Sequence, residues 1–310
     1  MGQSFLKTAW LFPGQASQKV GMGLDLFEKT DLGKSYFNRA NEILETDIQS
    51  IIFDGPDEIL KQTKYTQPAI YIVSVIIGKL LLEKGCLPSA LAGHSLGEYS
   101  ALCIGNAFSF ETGLSLVKVR AESMFEAGKN EPGSMAAIVG MDDAQVQDLC
   151  DAYQDGIVVP ANFNSLGQIV ISGEPNAVED LMKIAKEAGA RLVIPLNVSG
   201  AFHSPLMKSA RESLAEILNS TEISDTIFPI YANVHAGPTT NGSAIRELLL
   251  KQLENPVLWS KTMNNLIEDG NEMFLELGPG KVLQGLLKRI DRKQSSRGIG
   301  TLEEIENYDV

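Results

Sequence analysis

The stretch that decides the fold of this chain is ALAGHSLG, residues 90–97. It begins with a short apolar run of strand character, continues with the pattern Gly-x-Ser-x-Gly, and leads into a helical pattern that reaches Ile104. The two glycines allow the sharp strand-to-helix turn that lifts a serine hydroxyl above a sheet. The N-terminus of a helix also favours a developing oxyanion, because its backbone N–H groups point at the ligand. The stretch therefore predicts Ser95 as a nucleophile, rather than an idle serine in a glycine-flanked turn.

Around this stretch, short apolar strands alternate with helical patterns. Strands are predicted at 8–12, 90–92, 228–231 and 273–277, with helices between them, which is typical of an α/β protein with a parallel sheet. Residues 134–196 differ, because their patterns follow the order β-α-β-β-α-β of a ferredoxin-like unit. The sequence therefore predicts an α/β fold in which a catalytic core, residues 1–131 and 198–310, carries a ferredoxin-like insertion at 132–197.

Composition and charge exclude several classes of protein. The 310 residues are 44% hydrophobic and 21% charged, which is ordinary for a globular protein and excludes a disordered or fibrous one. The chain has 26 basic and 39 acidic residues, a net charge of −13, whereas a protein that binds nucleic acid needs a basic footprint. We therefore expect no nucleic-acid partner.

Neither a signal sequence nor a membrane span is predicted. Residues 1–10 lack the long apolar segment of a secretory signal, and the longest apolar run, 69–82, is shorter than the ~20 residues of a membrane-spanning helix. The three cysteines are far apart in apolar surroundings, which indicates buried thiols in a reducing compartment. We expect a cytoplasmic protein with a buried helix at 69–82 and a loose polar tail over the last twenty residues.

A nucleophilic serine needs a general base, and histidine is the usual one near neutral pH. The chain has three histidines. His94 adjoins the serine and is expected to point away from it, and His235 lies near a Gly-Pro turn. His203 lies in a glycine-containing loop that opens a helix, so elimination favours it as the base. No Asp or Glu stands at a comparable motif, so the usual carboxylate of a triad is not identified.

Six motifs spread along the chain occur together in one enzyme family. They are LFPGQASQ at 11–18, GHSLGEY at 93–99, Val-Arg at 119–120, GAFHS at 200–204, Asn-Pro-Val at 255–257 and Gly-Pro-Gly-Lys at 278–281. In this order they resemble the malonyl-CoA:acyl carrier protein transacylases, which include the acyltransferases of polyketide synthases. The resemblance covers nearly the whole chain and is far more specific than one Gly-x-Ser-x-Gly. One departure is Ala16, where glycine is common in the family.

The resemblance implies an α/β-hydrolase-like core with a parallel sheet and the ferredoxin-like insertion. It implies Ser95 as nucleophile and His203 as base, with the main-chain carbonyl of Gln252 in place of the missing carboxylate. The backbone N–H groups of Gln15 and Leu96 are expected to form the oxyanion hole.

The resemblance also implies two substrate-binding residues. Arg120 is expected to bind the free carboxylate of a malonyl group, because a guanidinium presents a planar pair of donors to it. The alternative is that Arg120 is a solvated charge on the helix predicted at 110–127. Phe202 precedes the base in Ala-Phe-His, which resembles malonyl-type acyltransferases, and its bulk leaves less room for an α-methyl group.

The sequence thus predicts transfer of a malonyl group from malonyl-CoA to the phosphopantetheine thiol of acyl carrier protein, through a malonyl-serine, in fatty acid biosynthesis. The resemblance implies a monomer. We expect no metal or other cofactor, since no His/Cys cluster has ligand spacing and no G-x-G-x-x-G opens a helix. Three alternatives stay open: a trans-acting polyketide synthase acyltransferase, a hydrolase on the same scaffold that releases acyl groups from acyl carrier protein, and a non-enzymatic scaffold subunit. Because carrier proteins are acidic, a basic group at 281–293 or at 208–211 is expected to face the carrier.

Overall fold

Ten strands and fourteen helices make up residues 6–308, the part of the chain that this computed structural model describes. The strands are β1 (Thr8–Phe12), β2 (Ala90–Gly93), β3 (Ser134–Val139), β4 (Val158–Ser165), β5 (Gln168–Gly173), β6 (Leu192–Pro195), β7 (Ile230–Tyr231), β8 (Pro238–Thr239), β9 (Met273–Leu277) and β10 (Ser295–Ile299). The helices are α1 (Leu24–Lys29), α2 (Asp31–Leu44), α3 (Ile48–Phe53), α4 (Asp57–Leu60), α5 (Thr63–Glu83), α6 (Gly97–Ile104), α7 (Phe110–Asn130), α8 (Asp143–Ala152), α9 (Pro175–Glu187), α10 (Lys208–Ser220), α11 (Gly242–Gln252), α12 (Trp259–Glu268), α13 (Val282–Ile290) and α14 (Leu302–Glu306).

The larger sheet has six strands in the order β10-β9-β1-β2-β7-β8. All neighbours run parallel except the hairpin of β7 and β8. Strand β1 is central and pairs with β2 in a register that places Phe12 opposite Gly93. The carboxyl ends of parallel strands meet at one edge of a sheet, where α/β proteins bind their ligands. The loops that follow β1 and β2 therefore leave the sheet side by side.

Strand β1 is buried on both faces. Its residues alternate between two apolar clusters: Ala9 and Leu11 pack with Trp259 of α12, while Trp10 and Phe12 join the main core. Side chains on a strand point to opposite faces in turn, so helices must cover both sides of such a sheet. This double cover fixes the carboxyl edge of β1 and β2 in the interior of the molecule.

Helix α5 is long and apolar. It is the one helix among residues 6–308 whose length and composition would allow it to cross a membrane. However, most of its length is buried inside the protein. Helix α5 packs against α6 and α7, and it is therefore the buried core helix that the run at 69–82 predicts.

The smaller sheet is antiparallel, with the strand order β4-β5-β3-β6. One of its faces packs on α8 and α9 through an apolar cluster that includes Ile138, Ile171 and Leu181. The other face, with Met135 and Val170, joins the main core. We call residues 134–195 the antiparallel unit and the remaining described residues the parallel-sheet unit. The fold is thus mixed α/β, with a parallel-rich sheet and a separate antiparallel one.

The structure confirms most predicted elements and corrects one. Strands β1, β3 and β9 begin and end at the predicted residues, and all three cysteines are buried. The prediction of a loose tail is wrong for residues 291–308, while 309–310 lie outside the described residues. Strand β10 adds an edge to the parallel sheet beside β9, and α14 follows it. Ile299 and Ile305 are buried and Leu302 and Tyr308 are half-buried against the core, so apolar contacts and the pairing with β9 together hold this polar segment in place.

Candidate active site

The turn after β2 holds Ser95 in a strained conformation. Ser95 has φ +52°, in the left-handed region that residues other than glycine rarely occupy. A Cβ on Gly93 would lie 1.9 Å from the carbonyl carbon of Gly97, and one on Gly97 would lie 2.0 Å from the carbonyl oxygen of Phe12. Only glycine fits at these two positions. Strand, turn and helix therefore have the geometry of a nucleophile elbow.

The side chain of Asn233 fastens this turn to the sheet. Its Oδ1 accepts a hydrogen bond from the backbone N–H of Ser95 at 2.7 Å, and its Nδ2 donates to the carbonyl of Gly93 at 2.6 Å. Asn233 is fully buried and follows β7, the neighbour of β2. Leaving such buried groups without partners costs about 1–3 kcal/mol each, so Asn233 stabilises the strained backbone of Ser95.

Ser95, His203 and Gln252 form a chain of hydrogen bonds. Ser95 Oγ lies 2.8 Å from His203 Nε2, and His203 Nδ1 lies 2.8 Å from the main-chain oxygen of Gln252. A carbonyl oxygen only accepts, so Nδ1 carries the ring proton and Nε2 is left to accept from the serine hydroxyl. Within residues 6–308, no carboxylate hydrogen-bonds to His203. The main chain therefore orients the imidazole.

Burial keeps the imidazole of His203 neutral. The residue is 3% exposed. Burial, with a further contribution from the charge of Arg120, lowers the pKa of His203 from 6.5 to about 3. A neutral imidazole can accept the serine proton at pH 7. His203 also has a positive φ, +59°, so both members of the pair lie on strained backbone, as often occurs at active sites.

Arg120 is a buried charge without a carboxylate partner. It lies on α7 and is 1% exposed, so the alternative of a solvated surface charge is wrong. Its Nη1 donates to Gln67 Oε1 at 2.5 Å, while its Nη2 donates to Gln252 Oε1 at 2.9 Å and to Ser95 Oγ at 3.1 Å. Among residues 6–308, no carboxylate oxygen lies within 4.0 Å of the guanidinium, and the buried Nε has no acceptor. Buried charges normally require partners, so this guanidinium is suited to an anionic ligand.

Glu98 is a second buried ionisable residue beneath the nucleophile. Its Oε2 accepts hydrogen bonds from Gln252 Nε2 at 2.9 Å and from the backbone N–H of Asn233 at 3.0 Å. Burial raises the pKa of Glu98 from 4.5 to about 7, against the opposing effect of these hydrogen bonds and of Arg120. The amide of Gln252 binds Glu98 through its nitrogen and Arg120 through its oxygen. It thus separates the two charged groups.

Gln15 and Leu96 line the same cavity as Ser95. The loop of Gln15 presses on the nucleophile turn, since a Cβ on Gly14 would lie 2.5 Å from the carbonyl oxygen of His94. Within residues 6–308, neither the backbone N–H of Gln15 nor that of Leu96 donates a hydrogen bond to another protein group. Two such donors beside a nucleophile can stabilise a tetrahedral oxyanion.

The cavity over Ser95 has a volume of about 420 Å³, within the range of small-molecule sites. Both units contribute to its lining, because Met135 and Asn162 of the antiparallel unit face the catalytic pair and Arg120. Phe202 also lines it, and at 6% exposure its ring is held in the main core. Residues 6–308 contain no group of three His, Cys, Asp or Glu placed to hold a metal ion.

The other two histidines lie outside the hydrogen-bond chain. His94 borders the cavity, but its Nε2 bonds to Asn164 Oδ1 at 2.8 Å and its ring packs near Trp259. This contact ties the nucleophile turn to the antiparallel unit. His235 is exposed in the turn between β7 and β8.

Comparison with known proteins gives one family for nearly the entire chain. The model of the acyl transferase domain matches residues 9–304. The chain belongs to this acyl transferase family. The malonyl CoA-acyl carrier protein transacylase of Bacillus subtilis (strain 168) is 44% identical over 302 residues, which cover 97% of this chain and 95% of that protein. The protein of the same name from Synechocystis sp. is 43% identical over 303 residues, covering 97% and 100%.

Solved structures of acyl transferase family members share this fold. The malonyl CoA-acyl carrier protein transacylase of Coxiella burnetii is similar with a TM-score of 0.93 and 37% identity, covering 98% of each chain. A malonyl-transacylase solved in complex with its type II PKS acyl-carrier protein has a TM-score of 0.93 and 40% identity, covering 97% of this chain and 98% of that one. The two-sheet α/β arrangement is therefore common to these proteins.

Sequence reasoning missed four polar side chains of this acyl transferase site. They are those of Gln67, Glu98, Asn233 and Gln252, and for Gln252 the motifs indicate a role of the main-chain carbonyl only. Glu98 stands inside the GHSLGEY motif, and Gln67 is a polar residue at the start of a buried apolar helix. Asn233 follows a strand at the carboxyl edge of the sheet, where polar residues often serve function. Buried polar side chains need partners, and that rule was the available signal.

Proposed function

We propose that this chain transfers a malonyl group from malonyl-CoA to the phosphopantetheine thiol of acyl carrier protein, through a malonyl-serine on Ser95, in fatty acid biosynthesis. The observation that carries the proposal is the buried guanidinium of Arg120, 3.1 Å from Ser95 Oγ and without a carboxylate partner among residues 6–308. A malonyl group has its free carboxylate two carbons from the thioester carbonyl, so attack by Ser95 brings that carboxylate to Arg120. Relatives 40–44% identical bear the matching name.

In the first half-reaction, His203 Nε2 takes the proton of Ser95 as Oγ attacks the thioester carbonyl carbon. The backbone N–H groups of Gln15 and Leu96 stabilise the negative oxygen of the tetrahedral intermediate. The carbonyl of Gln252 accepts from Nδ1 and so stabilises the imidazolium that forms. The carbon–sulfur bond then breaks, His203 gives its proton to the sulfur of CoA, and a malonyl ester of the serine remains.

The second half-reaction reverses these roles. His203 takes the proton of the phosphopantetheine thiol, and the sulfur attacks the carbonyl carbon of the malonyl ester. The carbon–oxygen bond to Ser95 breaks, and Oγ recovers its proton from the imidazolium. Arg120 holds the malonyl carboxylate through both halves, and Phe202 limits the space for an α-methyl group.

We also propose a fold type for each of the two units, a cellular location and an oligomeric state. The catalytic core predicted at residues 1–131 and 198–310, to which the parallel-sheet unit belongs, is α/β-hydrolase-like, and the insertion predicted at residues 132–197 is ferredoxin-like. The strand–turn–helix at Ser95 supports the first assignment, and the β-α-β-β-α-β order with strand order β4-β5-β3-β6 supports the second. The enzyme works as a cytoplasmic monomer that binds neither nucleic acid nor membrane. The net charge of −13 argues against nucleic acid, and the burial of α5 argues against a membrane span.

Intact-protein mass spectrometry tests the transfer. After incubation with malonyl-CoA, the mass should rise by one malonyl group, and addition of a holo carrier protein should move that group to the carrier. Ser95→Ala, which removes one hydroxyl and keeps the fold by circular dichroism, should gain no mass. Loading of Ser95→Ala would overturn the assignment of the nucleophile. A wild-type protein that gains no mass supports the scaffold alternative, and release of malonate to water in place of transfer supports the hydrolase.

A polyketide carrier is the second candidate acceptor. It is favoured by one observation, the similarity to a transacylase solved with its type II PKS carrier. Parallel assays with a fatty acid carrier and a type II polyketide carrier compare kcat/KM for the two acceptors. We expect the fatty acid carrier to be preferred, and a clear preference for the polyketide carrier would reassign the pathway.

A further inference from the structure

Two neutral amides hold the guanidinium of Arg120, and no carboxylate of residues 6–308 pairs with it. Gln67 Oε1 accepts from Nη1 at 2.5 Å, and Gln252 Oε1 accepts from Nη2 at 2.9 Å. Buried arginines are normally paired with acids, because an unpaired charge in a protein interior is costly. An amide oxygen fixes the direction of the guanidinium without cancelling its charge. The positive charge is therefore retained at the point where the acyl group binds.

The two glutamines differ in what else they contact. The main-chain oxygen of Gln252 also bonds to His203, and its side-chain Nε2 donates to the main-chain oxygen of Ser95. Gln67 bonds to neither, and its amide nitrogen has only a weak acceptor, Met124 Sδ at 3.4 Å. Gln67 is 1% exposed on α5 and lines the cavity. A change at Gln67 therefore acts on Arg120 and on the cavity wall, and it leaves the hydrogen bonds of His203 to Ser95 and Gln252 in place.

We propose that Gln67 determines acyl-group specificity, because it positions Arg120 while leaving the positive charge to the substrate carboxylate. The inference rests on the proposed malonyl transfer, since it concerns the group that Arg120 binds. A carboxylate at position 67 would satisfy the same Nη1 donor, and it would also compete with the malonyl carboxylate for the guanidinium. An uncharged acyl group would then bind at lower cost, because the guanidinium already has an anionic partner.

Two substitutions separate the charge of residue 67 from its hydrogen bond. Gln67→Glu keeps the size and adds a charge, and Gln67→Met keeps the size and removes the acceptor. The matched control is Gln62→Glu, the same chemical change one helical turn and a half away at the start of α5 and outside the cavity lining. For each purified protein, kcat/KM is measured for loading from malonyl-CoA and from acetyl-CoA, with folding checked by circular dichroism.

Gln67→Glu should lower the ratio of malonyl to acetyl kcat/KM by roughly 10- to 150-fold, which is the range of one charge-assisted hydrogen bond. Gln67→Met should lower malonyl loading roughly three- to tenfold and leave acetyl loading unchanged, since the guanidinium keeps its charge and loses part of its orientation. Gln62→Glu should leave both substrates at wild-type values. These ratios report specificity, which a purely structural role of Gln67 would not alter.

An unchanged ratio in folded Gln67→Glu would overturn the inference, and so would an equal loss for both substrates. If Gln67→Glu does not fold, Gln67→Met decides in the same way, because equal effects on malonyl and acetyl loading contradict a role in specificity. The wild-type protein distinguishes this inference from the proposed function. Wild-type enzyme that loads no malonyl group contradicts the proposed transfer, whereas wild-type loading with an unchanged variant ratio contradicts only the role of Gln67.

Discussion

The parallel-sheet unit and the antiparallel unit both pair strands with helices, but they differ in backbone strain and in buried charge. Six residues other than glycine have positive φ among residues 6–308, and all six lie outside the antiparallel unit. Within 134–195, positive φ occurs only at glycines. The buried charged and imidazole side chains show the same division, since all of them belong to the parallel-sheet unit. They are Glu98, Arg120, His203 and Glu276.

The two units therefore contribute different things to one cavity. The antiparallel unit is stabilised by apolar packing of its sheet on α8 and α9, and by a capping box at Asp142. It contributes part of the cavity wall, through Met135 and Asn162. The parallel-sheet unit contributes the reactive groups, and its large core holds them in conformations that cost free energy. Three of the six strained residues, Ala16, Ser95 and His203, line the cavity, and so does the buried cation Arg120.

The largest expected effect on the rate of transfer comes from removing the imidazole of His203, one of the residues on strained backbone. His203→Ala should lower malonyl transfer roughly 10²- to 10⁴-fold, because both half-reactions need a proton acceptor. The matched control is His235→Ala, which removes an exposed imidazole and should keep wild-type rates. Single-turnover loading measured by mass spectrometry gives both rates. A loss of only two- or threefold in His203→Ala would show that another group is the base.

Next in size is the effect of removing the unpaired charge. Arg120→Ala should lower kcat/KM for malonyl-CoA by roughly ten- to several-hundredfold, at about 1.4 kcal/mol per tenfold. Acetyl loading should hold steady or rise, because a neutral acyl group no longer meets a buried cation. Arg191→Ala, an exposed arginine of the antiparallel unit, is the control. If the malonyl-to-acetyl ratio is the same in Arg120→Ala and the wild type, Arg120 has a structural role only.

A smaller change, in the KM for the carrier protein, is expected if both units face the carrier. The exposed Lys288 and Arg289 lie at the end of α13, and Arg289 hydrogen-bonds to Gln168 of the antiparallel unit. By contrast, Arg211 on α10 is already paired with Glu254 at 2.5 Å, so the α13 group is the better candidate.

Reversal of both charges, Lys288→Glu with Arg289→Glu, should raise the KM for an acidic carrier roughly three- to tenfold and leave loading from malonyl-CoA unchanged. The matched control reverses two exposed lysines at a different surface, Lys29 and Lys34. Steady-state kinetics with carrier as the varied substrate provides the measurement. Equal effects on both substrates, or none on either, would move the carrier site elsewhere.

The smallest effect concerns stability and pH. The pKa of Glu98 is raised by burial to about 7 in the folded protein, whereas an unfolded carboxyl ionises near 4.5. Between these values the unfolded state releases the proton and the folded state keeps it, so this group destabilises the fold increasingly as pH rises from 4.5 to 7. Glu98→Gln removes this effect. Its melting temperature relative to the wild type should therefore be higher at pH 7.5 than at pH 4.5.

The exposed Glu187→Gln in the antiparallel unit is the control for this stability experiment. It should change the melting temperature little, and equally at both pH values, because its side chain is solvated. A difference between Glu98→Gln and wild type that is the same at pH 4.5 and 7.5 would show that the carboxyl of Glu98 is ionised throughout this range.

Local patterns were enough to predict eight of the ten strands, all but β8 and β10, and the nucleophile turn. The turn at Ser95 is fixed by its neighbours Gly93 and Gly97, which the sequence displays directly. The polar network behind it could not be read in this way, since Asn233 and Gln252 meet the nucleophile turn only after the whole sheet has formed. The tail was mispredicted for the same reason. Its two buried isoleucines find their partners on distant elements.

The central place of β1 in its sheet has a consequence for the protein during its own synthesis. β1 pairs with β9, near the other end of the chain, and the imidazole of His203 is oriented by Gln252. A ribosome adds about 5–20 residues per second, so the emerging strand waits on the order of ten seconds or more for its partner. Until then the nascent chain displays a serine with no oriented base. The hydrogen-bond chain from Ser95 through His203 to Gln252 can therefore form only after residue 252 has been synthesised.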